Sequence, residues 1–61
     1  MRLKELREAK GFSQGRLSRL SGVPRESINR FERGKRKPSI DTLEKLKKPL
    51  ECTIDEIVSE G

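Results

Sequence analysis

Residues 13–38 read SQGRLSRLSGVPRESINRFERGKRKP, and this stretch decides the architecture. It predicts two short helices joined by the turn Gly22-Val23-Pro24. Ser13 is placed to cap the first, which carries Leu17 and Leu20 at helical spacing until Gly22 stops it. The second starts around Pro24-Arg25, where the fixed φ of proline suits a first helical position, and ends before Gly34. Ile28 and Phe31 mark its inward side. Arg25, Glu26, Asn29 and Arg30 form one stripe on the other. The run Arg33-Gly34-Lys35-Arg36-Lys37 follows at once. An anchored apolar face, long polar groups opposite it and flanking cations are what entry into a DNA major groove requires.

The placement of charge supports the same reading. The chain carries a net +5, yet residues 14–37 alone hold eight cations against two anions, and the rest hold seven against eight. The excess is therefore confined to the suspected reading unit, which favours a polyanionic partner. A merely solvated face accounts for charge density but not for its segregation.

Working outward, the pattern predicts three more helices and no strand. Leu3, Leu6 and Ala9 or Lys10 recur at helical spacing before Gly11. Ser39 caps a fourth helix with Ile40, Leu43, Leu46 and Leu50 as its buried stripe. Pro49 is expected to end that helix near Lys48, with Leu50 packing from an extended connection, because proline in a helix interior costs about 3 kcal/mol. Thr53 and Glu56 form a capping box for a fifth helix bearing Ile54, Ile57 and Val58. The expectation is a single all-α domain, a compact five-helix bundle over residues 1–61, with the helix-turn-helix at 14–33. Such a chain of 61 residues lies near the lower limit for a self-sufficient core. Lone Cys52 excludes an internal disulfide framework, and no apolar run is long enough to cross a membrane. A cytoplasmic protein with no membrane partner is expected.

The stripe residues have definite chemical uses. Arg25 or Arg30 presents a fork to guanine O6 and N7, Asn29 suits adenine, and Glu26 suits the cytosine amino group. Glu26 has a competing structural use, as a first-turn acid that complements the helix dipole and pairs with Arg30 one turn on. Ser27 is placed as a phosphate contact or a solvated position. Gly15, in the first turn of its helix, lets a phosphate approach the backbone closely.

These residues resemble the Cro/repressor-type (Xre) helix-turn-helix family from end to end. The resemblance is carried by Leu3-Lys4-Glu5-Leu6-Arg7, Lys10-Gly11-Phe12-Ser13-Gln14, Leu17-Ser18, Gly22-Val23 and Ile28-Asn29-Arg30-Phe31-Glu32-Arg33-Gly34. It continues through Lys37-Pro38-Ser39-Ile40, Leu43, Leu46 and Ile54-Asp55-Glu56-Ile57. It implies a DNA-binding domain of the phage-repressor type in which the third helix reads base edges through Arg25, Glu26 and Arg30, beside Asn29. It implies phosphate contacts from Gln14, through its side chain, its backbone amides or both, at one flank and from Arg33, Lys35, Arg36 and Lys37 at the other; Gly15 and Arg16 are expected to join Gln14 there on their own chemistry, as an open backbone and a cation. It further implies an interior ion pair between Arg7 and Glu32. The chain departs from the family pattern at Gly15-Arg16, where an acidic pair is usual, at Pro24, usually Ser or Thr, at Glu51, often Gly, and at Pro49.

Other chemistries find little support. Gly34-Lys35 is no phosphate-binding loop, since Asn29 stands where the first glycine belongs and Arg36 follows the lysine. There is no His, no base partner for Cys52 or any Ser, and no carboxylate cluster suited to a metal. Cys52 reads as a small buried hydrophobe. Phe12 and Phe31 fit core positions, which argues against a stacking platform for single strands. The expected protein is not an enzyme and takes no cofactor or metal. It is a sequence-specific regulator of double-stranded DNA, a repressor acting as a homodimer on a pseudo-palindromic site. Leu50, Ile54, Ile57 and Val58 supply the dimer surface, and control comes from concentration, dimerisation or a separate partner, without a sensor domain. The alternative is an antitoxin-like or adaptor module that binds a protein partner.

Overall fold

The computed structural model describes residues 1–60; of the expected domain, Gly61 lies outside the described residues. Five helices follow one another: α1 (Leu3–Ala9), α2 (Gln14–Ser21), α3 (Arg25–Glu32), α4 (Ile40–Leu50) and α5 (Ile54–Val58), with no strand among the described residues. α2 packs on α3 and α4, α1 on α3 and α5, and α4 on α5. The result is an all-α five-helix bundle.

Local chemistry sets the helix ends. Ser13 Oγ accepts the Arg16 N–H at 3.0 Å, and Ser39 Oγ accepts that of Thr42 at 3.2 Å. Thr53 and Glu56 bond reciprocally, side chain to backbone, at 3.1 Å each way. α1, α3 and α4 each end in a Schellman turn. Its paired bonds run from Phe12 to Arg7 and Gly11 to Glu8, from Lys35 to Arg30 and Gly34 to Phe31, and from Cys52 to Lys47 and Glu51 to Lys48. The left-handed position falls to Gly11 and Gly34 in the first two and to Glu51, at φ 53°, in the third. A side chain there is strained, and Glu51 is the one non-glycine residue at positive φ among those described.

Every helix contributes to one core of Leu3, Leu17, Val23, Ile28, Phe31, Leu43, Leu46, Leu50 and Ile57. Leu6, Phe12, Cys52 and Ile54 pack against its edge. The Arg2 N–H donates to the Ile57 carbonyl at 2.8 Å and ties the start of the chain to α5.

Four expectations are corrected. α4 runs through Pro49 to Leu50. The proline sits in the last turn, where it removes a single helical bond, while the Schellman closure and burial of Leu50 hold the turn in place. Pro24 is the N-cap of α3, with extended ψ 139°, and its carbonyl accepts from Ile28. Leu20 is 47 % exposed and Ile40 is 69 % exposed. On a helix each lies about 60° from its nearest buried leucine, Leu17 or Leu43, and α2 and α4 bury narrower stripes than the spacing suggested.

A candidate nucleic-acid interface

α3 owes its position to its two faces. Ile28 and Phe31 are buried, while Arg25, Glu26 and Arg30 are exposed and Asn29 is half-buried. All four stripe residues line a single open cleft, together with Gln14 from the start of α2 and with Pro24. The stripe expected from the sequence is thus one wall of a physical cleft, and α2 supplies another. No ion pair joins Glu26 to Arg30, so the carboxylate of Glu26 stays available within the cleft.

Behind the cleft runs a chain of polar bonds. Arg7, buried on α1, grips Glu32 at the end of α3 with both prongs of its guanidinium: Nε to Oε2 at 2.7 Å and Nη2 to Oε1 at 3.1 Å. Arg7 Nη1 donates to the Phe12 carbonyl at 2.7 Å. The Glu32 side chain is only 3 % exposed. Hydrogen bonding to Glu32, strengthened by its charge and opposed by burial, raises the pKa of Arg7 above its ordinary value. Gln14 Nε2 donates to Glu32 Oε1 at 3.0 Å, and Asn29 Nδ2 donates to Gln14 Oε1 at 3.4 Å. The Gln14 side chain therefore lies in the cleft, between Asn29 and the buried ion pair.

The flanking cations are free. Arg16, Arg19, Arg25, Arg30, Arg33, Lys35, Arg36 and Lys37 are all exposed, and none forms an ion pair among the described residues. Arg16 lines a shallow recess with Lys10 and Arg19 at the start of α2, two cations that the stripe pattern did not single out. Arg36 and Lys37 line another groove, with Met1, Phe31 and Val58, on the opposite side of α3's end. Gly15 faces open space, since a Cβ there would meet only Ser13 Oγ at 3.9 Å. Ser27 is half-buried and lies outside the cleft lining.

The residues expected at a dimer surface divide. Leu50 and Ile57 are core residues and are corrected out of that surface, because closing so small a core consumes them. Ile54 is half-buried and Val58 is 41 % exposed, so only these two remain accessible. Cys52 is half-buried; burial, reinforced by Glu56, pushes its thiol pKa up, which leaves little thiolate for redox chemistry. No helix among the described residues is long and apolar enough to cross a membrane.

A family model described as helix-turn-helix matches residues 3–57. The chain is 41 % identical over 59 residues to the HTH-type transcriptional regulator PuuR of Escherichia coli (strain K12), covering 97 % of this chain and 32 % of that protein. It is 39 % identical over 54 residues to the SPbeta prophage-derived uncharacterized HTH-type transcriptional regulator YonR of Bacillus subtilis (strain 168), covering 88 % of this chain and 50 % of that one. Among solved structures it resembles a chain of a SinR protein/SinI protein complex, with a TM-score of 0.90 and 32 % identity over 97 % of this chain and 58 % of that one. The chain therefore spans about a third to a half of the length of the two curated relatives and 58 % of that solved chain.

Proposed function

From the premise that this chain belongs to the Cro/repressor-type helix-turn-helix family, we propose that it is the sequence-specific DNA-binding part of a transcriptional regulator, a repressor that grips a pseudo-palindromic operator as a dimer. The observation that carries the reading is the single cleft lined by Gln14, Arg25, Glu26, Asn29 and Arg30. The exposed, unpaired cations at its flanks complement it. α3 lies in the major groove and reads base edges, while Arg16 on one side and Arg33, Lys35, Arg36 and Lys37 on the other hold phosphates. The chain works by binding, without catalysis or cofactor, and acts in the cytoplasm.

Selection of bound duplexes at fixed salt, followed by a salt titration on the best site, tests this. With roughly four to five phosphates neutralised per subunit, log affinity of a dimer falls with log salt at a slope of about −7 to −9. A slope near zero overturns the reading. Two readers are set about 34 Å apart on the duplex, with Ile54 and Val58 at the contact between copies. That patch is small, so the dimer is weak without DNA. Sedimentation at micromolar protein detects a monomer alone and a dimer on a palindromic site. A monomer bound singly to a half-site rules the arrangement out.

A second reading, an adaptor that binds a protein partner, has two observations in its favour. Met1, Phe31 and Val58 give the groove beside Arg36 and Lys37 an apolar side, and the similar SinR chain was solved in complex with SinI. On that reading, Val58→Asp abolishes partner binding and leaves the salt slope on DNA unchanged.

A further inference from the structure

The polar chain behind the cleft has a direction. A carboxylate only accepts hydrogen bonds, and Glu32 already takes two from Arg7. Gln14 must therefore turn its NH2 toward Glu32, which leaves its oxygen facing α3. Only a donor satisfies that oxygen, and Asn29 supplies its own NH2. The Asn29 oxygen is thereby turned away from Gln14, with one N–H unspent beside it. The order of donor and acceptor at Asn29 follows from a guanidinium three side chains along, whose own place is fixed by the Phe12 carbonyl.

We infer that Gln14 is a positioning residue for base readout: the chain Arg7–Glu32–Gln14–Asn29 holds the Asn29 amide with its oxygen outward as an acceptor, which fits Asn29 to adenine. The inference rests on the DNA reading above. Adenine presents the N6 amino group as donor and N7 as acceptor, so it is matched by an Asn oxygen and the remaining N–H in that order. An unanchored amide samples the reversed order as well, which places oxygen against N7 and nitrogen against the N6 amino group. Anchoring removes that mismatch before DNA arrives, so less freedom is lost on binding. At 3.4 Å the Asn29–Gln14 bond is the longest in the chain, so the amide is aimed without being clamped.

The test compares wild type, Gln14→Met, Asn29→Ala and the double variant by competition binding at one salt concentration, with duplexes varied one base pair at a time. Melting curves confirm that each variant is folded at the assay temperature. Wild type is expected to prefer adenine at one base pair by about tenfold or more, the scale of a bidentate contact. Asn29→Ala abolishes that preference. Gln14→Met cuts it to about threefold or less while preserving the preferences set by Arg25 and Arg30. The double variant loses no more than Asn29→Ala alone, because one interaction is removed twice. Asn29→Asp, which keeps an acceptor and has no N–H for N7, moves the preference to cytosine. Uniform weakening by Gln14→Met with the adenine preference intact overturns the inference and makes Gln14 a phosphate contact. Additive losses in the double variant overturn it too. A wild type without any sequence preference overturns the DNA reading as well; preferences at other base pairs with indifference at this one overturn only the role given to Asn29 and Gln14.

Discussion

The two halves of the molecule handle charge in opposite ways. Around α2 and α3, eight exposed cations stand without a single ion pair among the described residues. Along α4, Lys45 pairs with Asp41 at 3.7 Å and Lys47 with Glu44 at 3.1 Å, and Lys10 reaches across from the end of α1 to Glu51. The second half pairs two of its three lysines with its own carboxylates, whereas the cations around α2 and α3 stay exposed. The one ion pair that α3 does make is nearly buried and faces α1. Surface pairs contribute little to stability, while a buried pair becomes costly once one partner is lost. Structural charge and functional charge are thus separated by burial as well as by position.

The sharpest way to break this comparison is to truncate the buried pair. Arg7→Ala or Glu32→Ala leaves a buried charge without its partner and is expected to destabilise by about 3–5 kcal/mol in chemical unfolding. For so small a domain that approaches the whole stability. Lys45→Ala and Lys47→Ala, taken as the opposite case, change it by less than about 0.5 kcal/mol. Equal effects from the two sets would erase the distinction.

A smaller effect separates reading from holding. Arg25→Ala is expected to lose about 1–3 kcal/mol on the preferred site and to relax selection at one base pair. Lys35→Ala or Arg36→Ala weakens all duplexes alike and flattens the salt slope by about one for each copy bound. Binding isotherms on specific and scrambled duplexes, measured over a range of salt, distinguish the two patterns.

The smallest effect falls in the half that carries the surface ion pairs. Glu51 occupies the left-handed place that Gly11 and Gly34 fill elsewhere. Its bond to Lys10 lowers its carboxyl pKa, yet both groups lie at the surface. Glu51→Gly exchanges that pair for relief of backbone strain, so the melting temperature is expected to rise by about 2–6 °C with DNA affinity unchanged. A lower melting temperature would show that the link between α1 and the end of α4 outweighs the strain.

The shared placement of the stripe residues was legible because its signals are local. The spacing of Arg25, Glu26, Asn29 and Arg30 places them on one stripe whatever the helix packs against, and the structure sets all four in one cleft. The side-chain partners of Gln14 were not legible, for the opposite reason. Its partners, Asn29 and Glu32, lie 15 and 18 residues away, and no helical period connects them. Arg7 and Glu32 are 25 residues apart, and only the family resemblance linked them in advance.

The sequence alone determined five helices, the side-chain caps Ser13, Ser39 and Thr53 and the confinement of excess positive charge to residues 14–37, because caps, turns and periodicity act within a few residues. Tertiary structure decided which apolar residues were needed inside. It took Leu50 and Ile57 into the core, left Leu20 and Ile40 in solvent, and carried α4 through Pro49. It also turned Gln14 toward Glu32. These outcomes depend on which surfaces meet when the helices pack, and burial there offsets a local penalty such as a proline in the last turn of a helix.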